Sequence, residues 1–115
     1  MYTYNAVLDR VVDGDTVDAL VDLGFDTWKK VRIRLHGMDA WESRTRDKEE
    51  KVKGLAAKAR LNEILESNDF VFTLQSHGVG KFGRCLGEIF IKKEISINQT
   101  LINEGHATKY HGGTR

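Results

Sequence analysis

Apolar and polar positions alternate along much of this chain and then change period, and that change predicts where strands give way to helices. Tyr2 to Val12 and Asp15 to Leu23 are rich in β-branched residues and flank Asp13-Gly14, a pair suited to the positive φ angles of a tight hairpin turn. Val31, Ile33 and Leu35 alternate with Arg32, Arg34 and His36. This third strand should bury one face and turn its cations, Arg34 among them, toward a groove or solvent. From Asp47 to Glu66 the spacing becomes helical, with Val52, Leu55, Ala56, Ala59, Leu61, Ile64 and Leu65 set among Lys, Arg and Glu. Asp69 to Gln75 and Arg84 to Lys92 return to strand composition around His77 to Gly83, a Gly-rich stretch that reads as a long hairpin loop. Ser96 and Gln99 match a capping box that opens a last helix through Leu101 and Ile102, and Gly105 is placed to end it.

Five short strands, with one long helix between the third and fourth and a short helix at the C-terminal end, predict an α+β fold built on a small five-stranded OB-type Greek-key barrel. A length of 115 residues suits a single domain, expected over residues 1–110 with 111–115 as a flexible tail. Hydrophobic residues are 40% and charged residues 30%, and proline is absent, a balance that excludes collagenous, proline-rich and strongly disordered chains. The net charge of +1 argues for no partner by itself, but its distribution is uneven: residues 1–26 carry −5 and the rest +6. The single Cys85 forbids an internal disulfide, and one Cys with four scattered His cannot build a Cys-rich zinc site, so any metal must be held by oxygen. Neither a signal-peptide pattern nor a run of 18 apolar residues is present, so the expectation is a cytoplasmic protein with no membrane partner.

The chemistry-bearing residues fall into three groups. Asp13-Gly14-Asp15-Thr16 is most simply a turn, although two neighbouring carboxylates also suit a hard cation. It is not an EF-hand loop, because Val17, Asp18 and Gly24 stand where a ligand, the invariant Gly and the closing Glu belong. Arg34, Asp39 and Glu42 sit where an apolar strand runs into a Gly-containing bend, a position from which a rigid scaffold presents functional groups. Gly78-Val79-Gly80-Lys81-Phe82-Gly83 spells a dinucleotide fingerprint, but a strand follows where that motif needs a helix. A phosphate loop is excluded too, since Phe82 follows Gly80-Lys81 in place of Ser or Thr. Cys85 reads as a small core residue, His36 and His77 as surface groups, and Lys48, Lys51, Lys53 and Lys58 as a solvated helix face that could guide a polynucleotide backbone.

Taken in order, Asp13-Gly14-Asp15-Thr16-Val17, Arg34 with Asp39 and Glu42, Lys81-Phe82-Gly83-Arg84, and Asn98, Leu101, Gly105 and Ala107 resemble the staphylococcal nuclease-like (thermonuclease) domain family. The resemblance spans nearly the whole chain and implies a calcium-dependent phosphodiesterase that cuts DNA and RNA with little sequence specificity, leaving 3′-phosphate and 5′-hydroxyl ends. It implies that Asp15 and Asp39, with the main-chain carbonyl of Ala40, hold Ca²⁺, with Asp13 as a supporting acid. Arg34 and Arg84 would bind and neutralise the phosphoryl group, and Glu42 would act as general base. Planar guanidinium forks suit phosphate in a way Lys does not. A carboxylate beside Ca²⁺ stays ionised, so activity is expected to favour neutral to alkaline pH.

Three departures from the family pattern stand out. Trp41 occupies the place commonly held by Pro ahead of the Glu, so the bend lacks that φ restraint and the ring is available to pack or stack. Phe82 replaces the usual Tyr, and the family's third helix has no counterpart after Tyr110, which suggests a monomer or weak homo-oligomer. Tyr110 and His111 stand where family aromatics approach the nucleotide. The alternative function is a catalytically inactive nucleic-acid-binding module on the same barrel. Compact members of the family occur in phages, so a phage-encoded protein acting in a host cell is one setting the resemblance allows.

Overall fold

The computed structural model describes residues 2–41, 46–79, 84–92 and 94–109. In chain order the elements are β1 (Thr3–Asp13), β2 (Thr16–Asp22), β3 (Trp28–Leu35), β4 (Met38–Ala40), α1 (Lys48–Glu66), β5 (Val71–Val79), β6 (Cys85–Ile91), β7 (Ile95–Ser96), α2 (Ile97–Asn103) and β8 (Ala107–Lys109). The first three strands form an antiparallel meander, β1 then pairs with β5, and β5 with β6. Parallel pairing of β3 with β6 through Ile33↔Cys85, Arg34↔Leu86 and Leu35↔Gly87 closes the five strands into a barrel.

The five-strand expectation holds for that barrel, with three differences. The short pairs β4–β8 and β6–β7 carry too few residues to register as strands by alternation. β5 runs on through His77, Gly78 and Val79, past a register shift between Ser76 and Gly78, so the expected loop is partly strand and residues 80–83 lie outside the described residues. The expected tail, 111–115, also lies outside them.

Val17, Ile33, Leu35, Leu74 and Ile89 point into the barrel, which α1 and α2 cover with Ala57, Leu61, Leu65, Ile97 and Leu101. The buried stripe of α1 is Gly54, Ala57, Leu61, Ile64 and Leu65, whereas Val52 and Leu55, expected among the apolar set, face outward. Asp47 opens α1 by accepting the N–H groups of Glu49 and Glu50. Ser96 caps α2 at the N–H of Gln99, but the Gln99 side chain turns to Asn103, so only half of the expected capping box forms. Gly105, at φ +81°, ends that helix as expected, with the His106 N–H returning to Leu101 O and the Gly105 N–H to Ile102 O. Arg60 of α1 grips Glu104 beyond α2 in a bidentate pair at 2.7 and 2.9 Å, which holds the Glu104 carboxyl below its ordinary range.

Folding also removes the charge division seen along the sequence. Asp18 of β2 is the register partner of both Arg10 and Arg32, and it accepts from them at 3.1 and 2.8 Å. Lys30 pairs with Asp9 at 3.1 Å. The acidic first strands thus lie against the cations of the third. The hydrogen bond from Arg32, joined by that from Arg10, lowers the buried Asp18 carboxyl from 3.8 to about 2, against the opposing effect of burial. A depressed folded-state value contributes stability above the unfolded value and loses it as pH falls through the folded one. Asp18→Asn should therefore cost about 2 kcal/mol in urea denaturation at neutral pH, and that difference from wild type should fade below about pH 4 and vanish near pH 2.

Candidate active site

Four of the sequence-predicted site residues meet where β2, β3 and β4 converge. Asp15 occupies the two-residue turn between Asp13 and Thr16, the last register pair of the first hairpin. The expected left-handed geometry at Gly14 is not what the turn uses, since Gly14 is not among the glycines at positive φ. Glycine is needed there for closeness: a Cβ on Gly14 would stand 2.6 Å from the Ala57 Cβ of α1 and 3.1 Å from that of Ala40. The turn is pressed between the helix and β4, and this fixes where Asp15 stands.

Asp15 is held from three sides. Its backbone carbonyl accepts the Leu35 N–H at 2.8 Å, its Oδ2 accepts the Ala40 N–H at 3.1 Å, and its Oδ1 accepts the Thr16 hydroxyl at 3.0 Å. Arg34 is expected at a groove or in solvent, and its side chain retains only 15% exposure. Nη1 donates to the carbonyls of Leu35 and Met38 at 3.0 and 2.9 Å and lies 3.4 Å from Asp15 Oδ2. Nη2 donates to Asp39 Oδ1 at 3.2 Å. One guanidinium thereby gathers two acids that are 24 residues apart in the chain. The Asp15 and Asp39 side chains keep only 13% and 9% exposure, so their attraction to Arg34 is weakly screened.

Among the described residues two carboxylates meet one guanidinium here, and the oxygens of Asp15, Asp39 and the Ala40 main chain are hard donors. That set fits Ca²⁺, which takes carboxylate and carbonyl oxygens in a flexible shell completed by water. Among the described residues no three His, Cys, Asp or Glu side chains group as a metal cage, so water would have to supply much of the shell. Arg84 stands immediately before β6, two residues ahead of Leu86, the register partner of Arg34. Glu42 lies outside the described residues, as do Lys81, Phe82, Gly83, Tyr110 and His111.

Several supports escaped the sequence reading. Asn98 is buried on α2, where its Oδ1 accepts the Ile89 N–H at 3.1 Å and its Nδ2 donates to the carbonyls of His36 and Gly87 at 2.9 and 3.2 Å. It anchors the bend between Arg34 and Asp39 to the barrel. Asn98 belongs to the last-helix motif, but its partners are set by the fold. Thr16 and the Leu35 and Met38 carbonyls likewise become visible only in space. His77, expected at the surface, is half-buried and stacked on His36 with centroids 4.5 Å apart. Trp41, half-exposed at the end of β4, lies under Lys53 of α1, whose Nζ is 4.7 Å from the ring centroid.

The staphylococcal nuclease homologue family model matches residues 32–114. The chain belongs to that family. It is 28% identical over 113 residues to protein ParB of Escherichia coli, covering 90% of this chain and 56% of that protein. It is 27% identical over 113 residues to endonuclease YhcR of Bacillus subtilis, covering 93% of this chain and 9% of that protein. An uncharacterized endonuclease of Escherichia coli O157:H7 is 29% identical over 104 residues, covering 88% of this chain and 58% of that one. The chain thus spans little more than half of two of these relatives and a small part of the third. Among the described residues no helix is long and apolar enough to cross a membrane.

Asn98→Ala should cost about 3 kcal/mol in chemical denaturation, since it leaves a buried N–H and two carbonyls without their partner.

Proposed function

We propose that this chain is a calcium-dependent nuclease domain that hydrolyses phosphodiester bonds of DNA and RNA with little sequence preference and leaves 3′-phosphate and 5′-hydroxyl ends. The observation that carries the reading is the Asp15–Arg34–Asp39 cluster, in which two weakly exposed acids share one guanidinium. Family membership and the endonuclease names of two relatives support it further.

Asp15, Asp39 and the Ala40 carbonyl would hold the calcium ion. Bound there, it would act as a Lewis acid toward the phosphoryl oxygens. Arg34 would meet the same charge: its Nε–H and one Nη2–H make no hydrogen bond with the described residues, so the fork retains donors for a phosphate. Its position is already set by two carbonyls and a carboxylate, so binding requires little reorganisation. Arg84 would approach from the β6 side as the second guanidinium. Glu42 would accept the proton of the attacking water at its carboxylate, a role that rests on the family resemblance. The contacts that Arg34 makes within the protein also suit a purely structural part, which keeps a second reading in play: a catalytically silent nucleic-acid-binding module.

Digestion of plasmid and RNA separates the two. Cutting that requires Ca²⁺ and stops with EDTA, with 3′-phosphate ends seen by mass spectrometry, is the expected result; cutting that survives EDTA, or none in Ca²⁺, refutes the nuclease reading. Arg34→Lys retains the charge but loses the fork, and should lower kcat by about a hundredfold, on the order of 3 kcal/mol of transition-state stabilisation. Thermal melting of the same variant separates this loss from unfolding.

A further inference from the structure

We propose that Trp41 and Lys53 form a stacking platform for single-stranded polynucleotide beside the Asp15–Arg34–Asp39 cluster. Trp41 would take an unstacked base on its open ring surface, and Lys53 the adjoining phosphate. The inference takes its ligand class from the nuclease reading and adds to it a strand preference and the residues that impose it.

Placement comes first. Trp41 follows Ala40, whose N–H is bonded to Asp15, so the indole begins one residue, about 3.8 Å of backbone, from the acidic cluster. Exposure comes second. Trp41 keeps 39% of its surface accessible although Lys53 of α1 lies over its ring, so the core does not consume it. An indole so exposed offers a π-face that any base can stack on, whatever its identity.

Charge is the third argument. Among the described residues Lys53 pairs with no carboxylate; its ammonium instead sits 4.7 Å from the Trp41 centroid. The cation–π contact orients the ring and leaves the ammonium's other donors directed away from it. An open hollow of about 400 Å³ lies along the same turns of α1, lined by Lys48, Glu49, Val52 and Lys53. Lys48 and Lys53 outweigh Glu49 there, and Val52 adds an apolar shelf. Aromatic face, apolar shelf and unpaired ammonium are the combination that single strands recognise. A duplex keeps its bases stacked on one another, so it could use only the lysines.

Binding and cutting can be read apart. In a Trp28→Phe background Trp41 is the remaining tryptophan, and its fluorescence can be followed with oligothymidylate in EDTA, where no Ca²⁺ supports hydrolysis. Saturable quenching by the single strand, much weaker with a duplex of equal length, is expected. In Ca²⁺, Trp41→Ala should raise KM for single-stranded DNA by about tenfold with kcat and duplex KM unchanged, and Trp41→Phe should recover most of the loss. Lys53→Ala should flatten the salt dependence of single-strand binding by about one phosphate contact. Quenching without cutting in Ca²⁺ refutes the hydrolytic reading and sustains the platform. Calcium-dependent cutting with no quenching, and with the same KM in Trp41→Ala, overturns the platform and leaves Trp41 as packing against Lys53 of α1.

Discussion

One guanidinium between two acids organises the site. Asp15 and Asp39 carry like charge at low exposure, an arrangement that would be costly without a cation between them. Arg34 supplies that cation and spends its Nη1 donors on the carbonyls of Leu35 and Met38, the residues on either side of the bend. The same side chain therefore balances the acids and sets the shape of the loop that presents Asp39. The bend is fixed from the opposite side by Asn98, whose amide reaches the His36 carbonyl, and the turn carrying Asp15 is seated against Ala57. Restraint from β3, α1 and α2 converges on a few atoms, and such convergence gives a site its preorganisation.

The barrel was legible because alternation and turn chemistry act locally. Val31, Ile33 and Leu35 reveal a strand whatever lies around it, and Gly105 ends a helix because its left-handed φ is a local need. The short strands β4, β7 and β8 were not legible, since two or three residues hold no period and their pairing depends on partners far along the chain. Gly14 illustrates a subtler gap. Asp-Gly is a turn signal and a turn is there, but the reason for glycine is the approach of Ala57, more than forty residues away in the chain. Helical periodicity likewise does not say which side of α1 the barrel covers, so Val52 and Leu55 belong to its apolar set although they face out.

The site divides along the same line. The resemblance of the motifs in order singles out Asp15, Arg34 and Asp39, and the structure brings these three side chains together. Their supports are not singled out, because a main-chain carbonyl or N–H is the same in every residue and becomes specific only through position. The charge pattern misled for a related reason. A −5 segment followed by a +6 remainder suggests a polar molecule, but antiparallel pairing sets Asp9 and Asp18 against Lys30 and Arg32. Linear charge separation becomes cross-strand neutralisation of Asp9 by Lys30 and of Asp18 by Arg10 and Arg32.

The family match begins at residue 32, so it takes in Arg34 and Asp39 but leaves out Asp15 and the first hairpin. The structure gives no reason to treat that hairpin as an appendage. β1 and β2 are two of the five barrel strands, and without them β3 and β5 would each lose an antiparallel neighbour and expose an edge. The hairpin also supplies the Asp15 carbonyl that receives the Leu35 N–H and the Asp15 carboxylate that receives the Ala40 N–H. A chain starting at β3 would keep the guanidinium and one acid, lose the other acid and leave β3 and β5 without the strands that join them. The hairpin and the matched segment are therefore one folding unit, and Asp15 meets Arg34 and Asp39 because β2 pairs with β3, where Thr16 is the register partner of Arg34.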